Sequence, residues 1–284
     1  MPAITESSIK SPVQKLGVIA GGGTLPAQLL RACEEQGIEP FIIAFDGQTD
    51  PALLKGRCYL MTRIGAAGHI INTLKSHGVR DLVFIGSIRR PSLKEMRPDF
   101  RTLKFFARLA TRALGDDGLL KAMKTELERD GFKLHPVQAF AGNLLAGEGP
   151  IGALTPRDSD YEDIQRGIDI IQEIGHLDIG QAVVVQEGLV LGVEAVEGTD
   201  ALMTRCGGIK RAGRGPILVK TTKPGQAHDL DLPTIGPNTI KLAGEHGYAG
   251  IVIEAGRTLV TESDRVAELA NQFKIFVIGV DVTK

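Results

Sequence analysis

Short apolar runs alternate with segments whose apolar residues recur at helical spacing throughout the first half of the chain. The runs predict strands over Leu16–Ala20, Phe41–Phe45 and Leu82–Ile85, and the segments predict helices over Leu25–Gln36, Gly68–His77, Phe100–Leu114 and Asp117–Arg129. Short apolar strands separated by helices are typical of a parallel sheet with right-handed crossovers. We therefore expect an α/β domain with a parallel sheet in residues 15–133.

The pattern changes near residue 134, where glycine and turn residues become frequent and predict a crossing between two domains. Beyond it the pattern predicts helices over Tyr161–Ile174, Pro237–His246 and Ser263–Phe273, and strands over Ala182–Val185, Leu189–Val196, Ile217–Thr221, Gly250–Ile253 and Ile275–Val280. We expect a second α/β domain in residues 134–284. Residues 1–14 have no apolar core, so we expect a flexible leader there.

Composition narrows the class of protein. The chain is 43% hydrophobic and 24% charged, as globular proteins are, and its net charge of −1 does not favour nucleic acid. Its three cysteines lie far apart without histidine companions, which argues for a reducing compartment and against a zinc site. No apolar run approaches the roughly 20 residues that span a bilayer. We therefore expect a cytoplasmic protein.

Two apolar runs of the second half lead directly into polar turns. Gly188–Val196 is followed by EGTD, and Pro216–Thr222 is followed by KPGQ. Strand ends that lead into turns with carboxylates, a lysine and an amide are common sites of chemistry in α/β proteins. The alternative is a pair of solvated loops beside a buried sheet, since the polarity of a loop is only a correlation.

The first of these turns supplies carboxylates. Glu194 is predicted within its strand, on a face with small or apolar residues, where a carboxylate needs a partner or a metal. Glu197 and Asp200 follow in the turn, and hard oxygen ligands at this spacing suit Mg²⁺ or Mn²⁺ better than zinc. The alternative is a helix that Thr199 caps, with a solvated Glu197.

The second turn supplies positive charge. Lys220 lies near the end of its strand, and Lys223 and Gln226 lie in the turn, with Asp231 in the extended segment that follows. A lysine serves as a point charge for phosphate, and a turn with proline and glycine can offer backbone N–H donors. These residue types together favour a phosphate site.

The first half holds a weaker signal for phosphate. A run of glycines that includes Gly22 and Gly23 turns a strand into a helix, where backbone N–H groups can approach a phosphate. The run is neither GxGxxG nor a P-loop, and the alternative is a tight turn that only needs glycine. Gly86, Ser87 and Arg89 follow another strand, and an arginine there either holds a phosphate oxygen or is a surface residue.

Several of these motifs occur together in one known family. In chain order, LGVIAGGGTLP, GSIRRP, DIGQAVVV, VEAVEGTD and KPGQ followed by DLPTIGP resemble the UDP-2,3-diacylglucosamine pyrophosphatase family of the LpxI type. The resemblance covers nearly the whole chain after the leader. It implies an N-terminal Rossmann-like domain with a parallel sheet in residues 15–133. It also implies a distinct C-terminal catalytic α/β domain with a mixed sheet in residues 134–284.

The resemblance also implies an activity in lipid A biosynthesis. The family hydrolyses the pyrophosphate of UDP-2,3-diacylglucosamine to UMP and 2,3-diacylglucosamine 1-phosphate in the cytoplasm, with a divalent metal, here Mg²⁺ or Mn²⁺. We therefore expect the nucleotide lipid as partner and no nucleic acid. Peripheral contact with the inner membrane surface and a homodimer are further expectations.

One position departs from the family pattern. The family reads KPGQD, and this chain has Ala227 after Gln226. Because the aspartate is regarded as essential in the family, we expect a copy that is impaired in turnover.

The resemblance and the residue chemistry together define the candidate site. The candidate catalytic positions are Ala227, Glu194, Asp200 and Asp231, and the last three are the candidate metal ligands. The candidate substrate contacts are Gly22, Gly23, Gly86, Ser87, Arg89, Glu197, Gly198, Thr199, Lys220, Lys223 and Gln226. Two other classes stay open: a non-enzymatic carrier of a nucleotide lipid, and a nucleotide-cofactor oxidoreductase built on the glycine run.

Overall fold

The computed structural model describes residues 13–89, 96–109, 116–223 and 232–282. The chain divides into two compact units. Unit 1 comprises the chain up to Arg108 together with Glu128–Leu134, and unit 2 comprises Leu109–Leu127 together with His135–Lys284. Residues 1–12 of the predicted leader lie outside the described residues. The predicted boundary between independently folding domains at residue 134 stays a prediction.

Unit 1 contains a five-stranded sheet in which every neighbouring pair of strands is parallel. The strands are β1 (Lys15–Ala20), β2 (Glu39–Phe45), β3 (Cys58–Thr62), β4 (Asp81–Ile85) and β5 (Lys133–Leu134). The helices up to residue 129 are α1 (Leu25–Glu35), α2 (Ala67–Ser76), α3 (Phe100–Leu109) and α4 (Asp116–Arg129). In the order β3–β2–β1–β4–β5, the chain adds β2 and β3 on one side of β1 and then β4 and β5 on the other side. Doubly wound dinucleotide-binding folds have this order, so the predicted Rossmann-like sheet is confirmed.

The burial of the strands explains which of them the sequence predicted. Strands β1 and β2 are buried over most of their length, as parallel strands covered on both faces are, and they read as continuous apolar runs. Strand β3 lies at the edge of the sheet, and its first two residues, Cys58 and Tyr59, are exposed. The apolar pattern is therefore too weak to predict β3.

Unit 2 contains a mixed six-stranded sheet with the order β6–β13–β11–β9–β7–β8. Its strands are β6 (Gly149–Pro150), β7 (Ala182–Gln186), β8 (Leu189–Val193), β9 (Ile217–Lys220), β11 (Gly250–Glu254) and β13 (Phe276–Val280). Strands β10 (Thr234–Ile235) and β12 (Leu259–Val260) form a separate parallel pair. The helices are α5 (Asp160–Gly175), α6 (Thr199–Gly208), α7 (Pro237–Glu245) and α8 (Ser263–Phe273). The predicted mixed sheet is confirmed.

Apolar side chains cover both faces of this sheet. Ile164, Ile168 and Ile171 of α5 pack with Val183 and Val185 on one face. On the other face, Val184 packs with residues of the remaining helices, among them Leu202, Ile240 and Leu269. Because successive residues of a strand point to opposite faces, the continuous apolar run of β7 supplies both cores.

Strand β8 is shorter than the sequence predicts. It ends at Val193, so Glu194 lies just beyond the strand, and Val196 lies fully exposed in a turn. The register of β7 against β8 shifts between Val184 and Val185, and the apolar pattern does not show such an irregularity. The prediction of a strand up to Val196, with Glu194 inside it, is therefore wrong.

The strand directions bring several chain segments to one edge of the unit 2 sheet. Strands β9, β11 and β13 run parallel, β7 runs against β9, and β8 runs against β7. The carboxyl ends of β8, β9 and β11 therefore lie beside the amino end of β7, where Ala182 pairs with Lys220. In the ranges that the structure describes, no helix is long and apolar enough to cross a membrane.

Candidate active site

The edge of the unit 2 sheet at which β8, β9 and β11 end holds buried charge. We call its residues Glu194, Lys220 and Glu254 the charged edge; each of the three is less than a tenth exposed. Buried charges are destabilising unless they are paired and hydrogen-bonded. The partners of these three residues therefore describe what the edge can do.

A threonine hydroxyl joins Glu194 to Lys220. Thr199 Oγ1 donates a hydrogen bond to Glu194 Oε1 at 2.6 Å, and it accepts one from Lys220 Nζ at 3.0 Å. Lys220 Nζ also donates to the carbonyl oxygen of Thr234 at 3.0 Å. Because a hydroxyl has a single proton, the bond to Glu194 leaves its lone pairs for the ammonium group. The ammonium group and the carboxylate are thus held in a fixed relation.

The predicted capping role of Thr199 is wrong. Helix α6 begins at Thr199, its N-cap is Gly198 with φ of +81°, and no side chain caps it. The Thr199 side chain bonds to Glu194 and Lys220 instead, so its hydroxyl does not bond to the helix backbone. Of the candidate site residues, the structure brings Glu194, Thr199 and Lys220 together.

A second carboxylate of the charged edge was not predicted. Glu254 ends β11, and its Oε2 accepts hydrogen bonds from the backbone N–H of Thr222 at 2.8 Å and from the Thr222 hydroxyl at 2.6 Å. Arg257 Nη1 lies 3.4 Å from its Oε1. The sequence signal was a glutamate directly after the apolar run Gly250–Ile253, at the end of a predicted strand.

The segment before β7 also contributes to this region. Lys223 Nζ forms an ion pair with Asp178 Oδ1 at 2.6 Å. The backbone N–H of Gln181 donates to Glu194 Oε2 at 3.1 Å, and the Oε1 of Gln181 is buried without a hydrogen-bond partner among the described residues. Asp178 and Gln181 belong to the motif DIGQAVVV, one of the motifs that carry the family resemblance. Neither residue was predicted to belong to the site.

The turn carboxylates Glu197 and Asp200 are exposed. Glu197 accepts from Arg205 Nη2 at 2.9 Å, and its own backbone N–H together with this guanidinium lowers the pKa of its carboxyl below the ordinary value. Asp200 lies in the first turn of α6 and accepts from Asn238 Nδ2 at 3.0 Å. Glu197 bonds to Arg205 and to the backbone N–H of Ala195, and Asp200 bonds to Asn238. These partners all lie outside the charged edge.

Glu194 and Asp200 are the predicted metal ligands that the structure describes. No group of three or more histidine, cysteine, aspartate or glutamate side chains that could hold a metal occurs within the described ranges. The third predicted ligand, Asp231, lies outside those ranges, as do Gln226 and Ala227. A carboxylate has about four lone-pair sites, so Glu194 keeps acceptor capacity beyond its two hydrogen bonds.

In unit 1, backbone hydrogen bonds hold the glycine turn, which we define as Gly21–Gly23. The N–H groups of Gly21 and Gly22 donate to the carbonyl oxygens of Ile85 and Ser87 at 2.8 and 2.7 Å. Gly86 has φ of +86°, and a Cβ there would meet the carbonyl of Gly22, so both conformation and space require glycine. Two of the three N–H groups that could approach a phosphate are therefore engaged within the protein.

Arg89 lies on the exposed side of the same region. The side chain of Gln48 holds its backbone: Arg89 N donates to Gln48 Oε1 at 2.7 Å, and Gln48 Nε2 donates to the Arg89 carbonyl at 3.2 Å. Ser87 and Arg89 are both exposed and follow β4. The structure therefore groups Gly22, Gly23, Gly86, Ser87 and Arg89 at the carboxyl ends of β1 and β4.

Two domains of one known family match the chain along the sequence. Residues 15–144 match the LpxI N-terminal domain, and residues 147–278 match the LpxI C-terminal domain. The chain is also 40% identical over 276 residues to UDP-2,3-diacylglucosamine pyrophosphatase LpxI of Caulobacter vibrioides, an alignment that covers 95% of this chain and 98% of that protein. This chain belongs to the LpxI family. The family resemblance seen in the sequence motifs is thereby confirmed.

Solved structures offer weaker likenesses to this LpxI-family chain. The biotin carboxylase subunit of pyruvate carboxylase is 14% identical with a TM-score of 0.26, over 61% of this chain and 35% of that one. Glycinamide-RNase-transformylase T from Mycobacterium tuberculosis is 10% identical with a TM-score of 0.26, over 64% of this chain and 44% of that one. Structural similarities this weak support no conclusion about this chain.

Proposed function

We propose that this LpxI-family protein hydrolyses the pyrophosphate bond of UDP-2,3-diacylglucosamine to UMP and 2,3-diacylglucosamine 1-phosphate, a step of lipid A biosynthesis. The similarity along almost the full chain to the UDP-2,3-diacylglucosamine pyrophosphatase of Caulobacter vibrioides carries the proposal. The same similarity does not favour a carrier or an oxidoreductase. In this reaction water adds across the P–O–P bridge, so its oxygen forms a new P–O bond as the bridging bond breaks.

The chemistry of the charged edge supports this reaction. A pyrophosphate diester carries negative charge, so its site needs fixed positive charge and a group that orients water. Lys220 is buried, and two hydrogen bonds fix its ammonium group. Glu194 lies next to it through Thr199 and is our candidate for orienting the attacking water. Lys223 is a second candidate phosphate contact.

We propose Mg²⁺ or Mn²⁺ as the cofactor. The donor chemistry fits, because Glu194 and Asp200 are hard oxygen ligands, and Mg²⁺ is usually held by one or two carboxylates plus substrate phosphates and water. Asp231 is the third proposed ligand. The ion would neutralise charge on the phosphate oxygens.

We further propose that Ala227 impairs turnover more than binding. The described lysines that would hold the pyrophosphate are present, and a carboxylate is missing from the family pattern. A group that positions water or metal acts mainly in the transition state, so its loss lowers the rate more than the affinity. The candidate contacts of unit 1 stay Gly22, Gly23, Gly86, Ser87 and Arg89, with Glu197, Gly198 and Gln226 in unit 2.

The location of the protein follows from the substrate that we propose. The acyl chains anchor a nucleotide lipid in a membrane before the protein binds it, so the enzyme would work in the cytoplasm in peripheral contact with the inner membrane. Once the protein buries these chains, each methylene contributes about 0.8 kcal/mol and favours slow release. A homodimer remains an expectation.

The deciding experiment is mass spectrometry of small molecules released from the purified protein, followed by Ala227→Asp. We expect intact UDP-2,3-diacylglucosamine to copurify, and we expect Ala227→Asp to convert it to UMP and lipid phosphate when Mg²⁺ is added. The rate should rise at least about 10²-fold over the unaltered chain, as a positioned catalytic group typically contributes. No UMP from either protein would refute the proposed activity, and equal rates would refute the role of position 227.

A further inference from the structure

Asp178 forms an ion pair with the lysine that follows β9. Its Oδ1 lies 2.6 Å from Lys223 Nζ, and the side chains of Asp178 and Lys223 are 29% and 14% exposed. Asp178 has φ of +55°, a left-handed conformation that is uncommon outside glycine, although aspartate tolerates it better than most residues. The backbone thus adopts an unusual conformation at the residue that contacts this lysine.

The three residues after Asp178 connect it to the charged edge. A Cβ at Gly180 would collide with the backbone carbonyl of Glu194, so this position requires glycine. Gln181 then donates its N–H to Glu194 Oε2 at 3.1 Å and accepts from the N–H of Thr221 at 3.2 Å. One short segment therefore holds both the carboxylate of Glu194 and the end of β9.

The end of β9 is also held from its other side. Glu254 accepts from the N–H and the hydroxyl of Thr222, the residue just before Lys223. The backbone that carries Lys223 is fixed by these bonds, and Asp178 restricts the remaining freedom of its side chain. A lysine side chain loses rotamer entropy when it is fixed, so a partner that orders it in advance lowers the entropic cost of using it in a reaction.

From these contacts we infer that Asp178 is a positioning residue, which sets the place of the Lys223 ammonium group for the reaction. The inference rests on the proposed function for the role of Lys223 and on the structure for the contact. Asp178 is negative and lies close to the proposed pyrophosphate contact, so it also repels the substrate. Its loss should therefore lower kcat without raising KM, whereas a general loss of folding would lower the active fraction.

The first test is a double-mutant cycle in the Ala227→Asp background. We expect Asp178→Asn to lower kcat by about 10-fold with no rise in KM, and Lys223→Ala to lower it by about 10²-fold. Because Asp178 acts through Lys223, Asp178→Asn should change kcat by less than about twofold once Lys223→Ala is present. An equal loss in both backgrounds, or an unchanged kcat, would overturn the inference.

Asp163→Asn is the matched control. Asp163 is also a carboxylate of unit 2 that fixes nearby backbone, since it accepts hydrogen bonds from the N–H groups of Glu187 and Gly188 at 2.7 and 2.6 Å. Those bonds hold the turn between β7 and β8, at the end of β7 opposite the charged edge. We expect Asp163→Asn to lower the unfolding midpoint, with equal proportional effects on kcat in the presence and absence of Lys223→Ala.

The second test does not depend on activity and uses the unaltered sequence with Ala227. Mass spectrometry would follow the acylation of Lys223 by an amine-reactive reagent. Release from the ion pair should make Lys223 react about fivefold faster in Asp178→Asn and at an unchanged rate in Asp163→Asn. Equal rates in all three proteins would refute the positioning role. If the Ala227→Asp reference hydrolysed no nucleotide lipid, the proposed function would fail, and the acylation rates alone would decide whether Asp178 positions Lys223.

Discussion

The glycine turn of unit 1 and the charged edge of unit 2 both lie at the carboxyl ends of parallel strands, yet they are built from different groups. Backbone bonds such as Gly22 N to Ser87 O hold the glycine turn, and the polar side chains beside it, Ser87 and Arg89, are exposed. At the charged edge, side chains bond to one another, and Glu194 and Lys220 are buried. Buried charge is destabilising unless its partners are in place. We therefore expect the charged edge to govern the rate and the glycine turn to govern affinity.

The largest expected effect tests that division directly. In an Ala227→Asp background, Glu194→Gln or Lys220→Met should lower kcat at least about 10²-fold, because each removes a positioned charge. Ser87→Ala and Arg89→Ala should mainly raise KM, with less than about 10-fold loss of kcat, since a contact made equally in the ground state and the transition state contributes to binding and not to kcat. Initial rates of UMP release measure both. A loss of kcat as large at Arg89 as at Lys220 would contradict the division.

The next effect concerns stability and compares two glycines that allow close approach. A Cβ at Gly180 would collide with the Glu194 carbonyl, and one at Gly21 would collide with the Ser87 carbonyl. Either alanine substitution should cost about 1–3 kcal/mol in urea unfolding, as overpacking does. Gly142→Ala is the control, because nothing lies within 4 Å of its Cβ position; it should stay within about 0.5 kcal/mol. Only Gly180→Ala should also lower kcat.

A smaller effect compares one buried carboxylate in each unit by its response to acid. In unit 2, burial alone would raise the pKa of Asp160, but hydrogen bonds from Arg214 and from the N–H of Arg157 outweigh it and lower this pKa below its ordinary value. Stability from such a group is complete above the unfolded pKa of about 3.9 and is lost as the pH falls through the lower folded value. Asp160→Asn should therefore destabilise by about 1–2 kcal/mol at pH 7, with a difference that vanishes in acid below that window.

Asp99 provides the comparison within unit 1. Burial would raise its pKa, and bonds from Thr102 and from the N–H groups of Gly68 and His69 lower it overall. Asp99→Asn should lose stability with the same sign and the same pH window. Unfolding midpoints of both variants from about pH 7 down to about pH 2 would check this, and a destabilisation that persists at the acid end would exclude the titration as its cause.

The smallest expected effect is a difference in the alkylation rates of the three cysteines, which involves no change in stability. Burial raises the pKa of the Cys33 thiol to about 11 and raises that of Cys206, whereas Cys58 is exposed at the edge strand β3. The thiolate is the reactive form, so alkylation of the native protein should modify Cys58 first and the two buried thiols at least about 10-fold more slowly. Peptide mass spectrometry gives the order. Early modification of Cys206 would show that α6 opens readily.

The burial of a strand decides whether the sequence could predict it. Continuous apolar runs such as Phe41–Phe45 and Gly250–Ile253 identify buried parallel strands, because burial on both faces leaves no polar position. Both sheets were predicted for this reason. The edge strand β3 was missed, and β8 was extended too far, because exposure and an irregular register weaken the periodic signal.

The candidate site was predictable in its residue types and less so in its contacts. Polar residues after apolar runs correctly directed attention to Glu194, Thr199 and Lys220. Their bonds join positions that are distant in sequence, so Thr199 was assigned a local capping role, and Asp178 and Glu254 were overlooked. A carboxylate at a predicted strand end is a signal that could have identified Glu254.

Strand order also sets when this site can exist during synthesis on the ribosome. Strands β7 and β8 emerge together and pair through a local turn, but β9 follows at Ile217–Lys220 and β11 only at Gly250–Glu254. A nascent chain halted between β8 and β9 would present the side of β7 that β9 normally covers as an open edge, ready to pair with another chain. The charged edge is therefore complete only after residue 254 has left the exit tunnel, so an interruption of translation before that point leaves the protein without its candidate site.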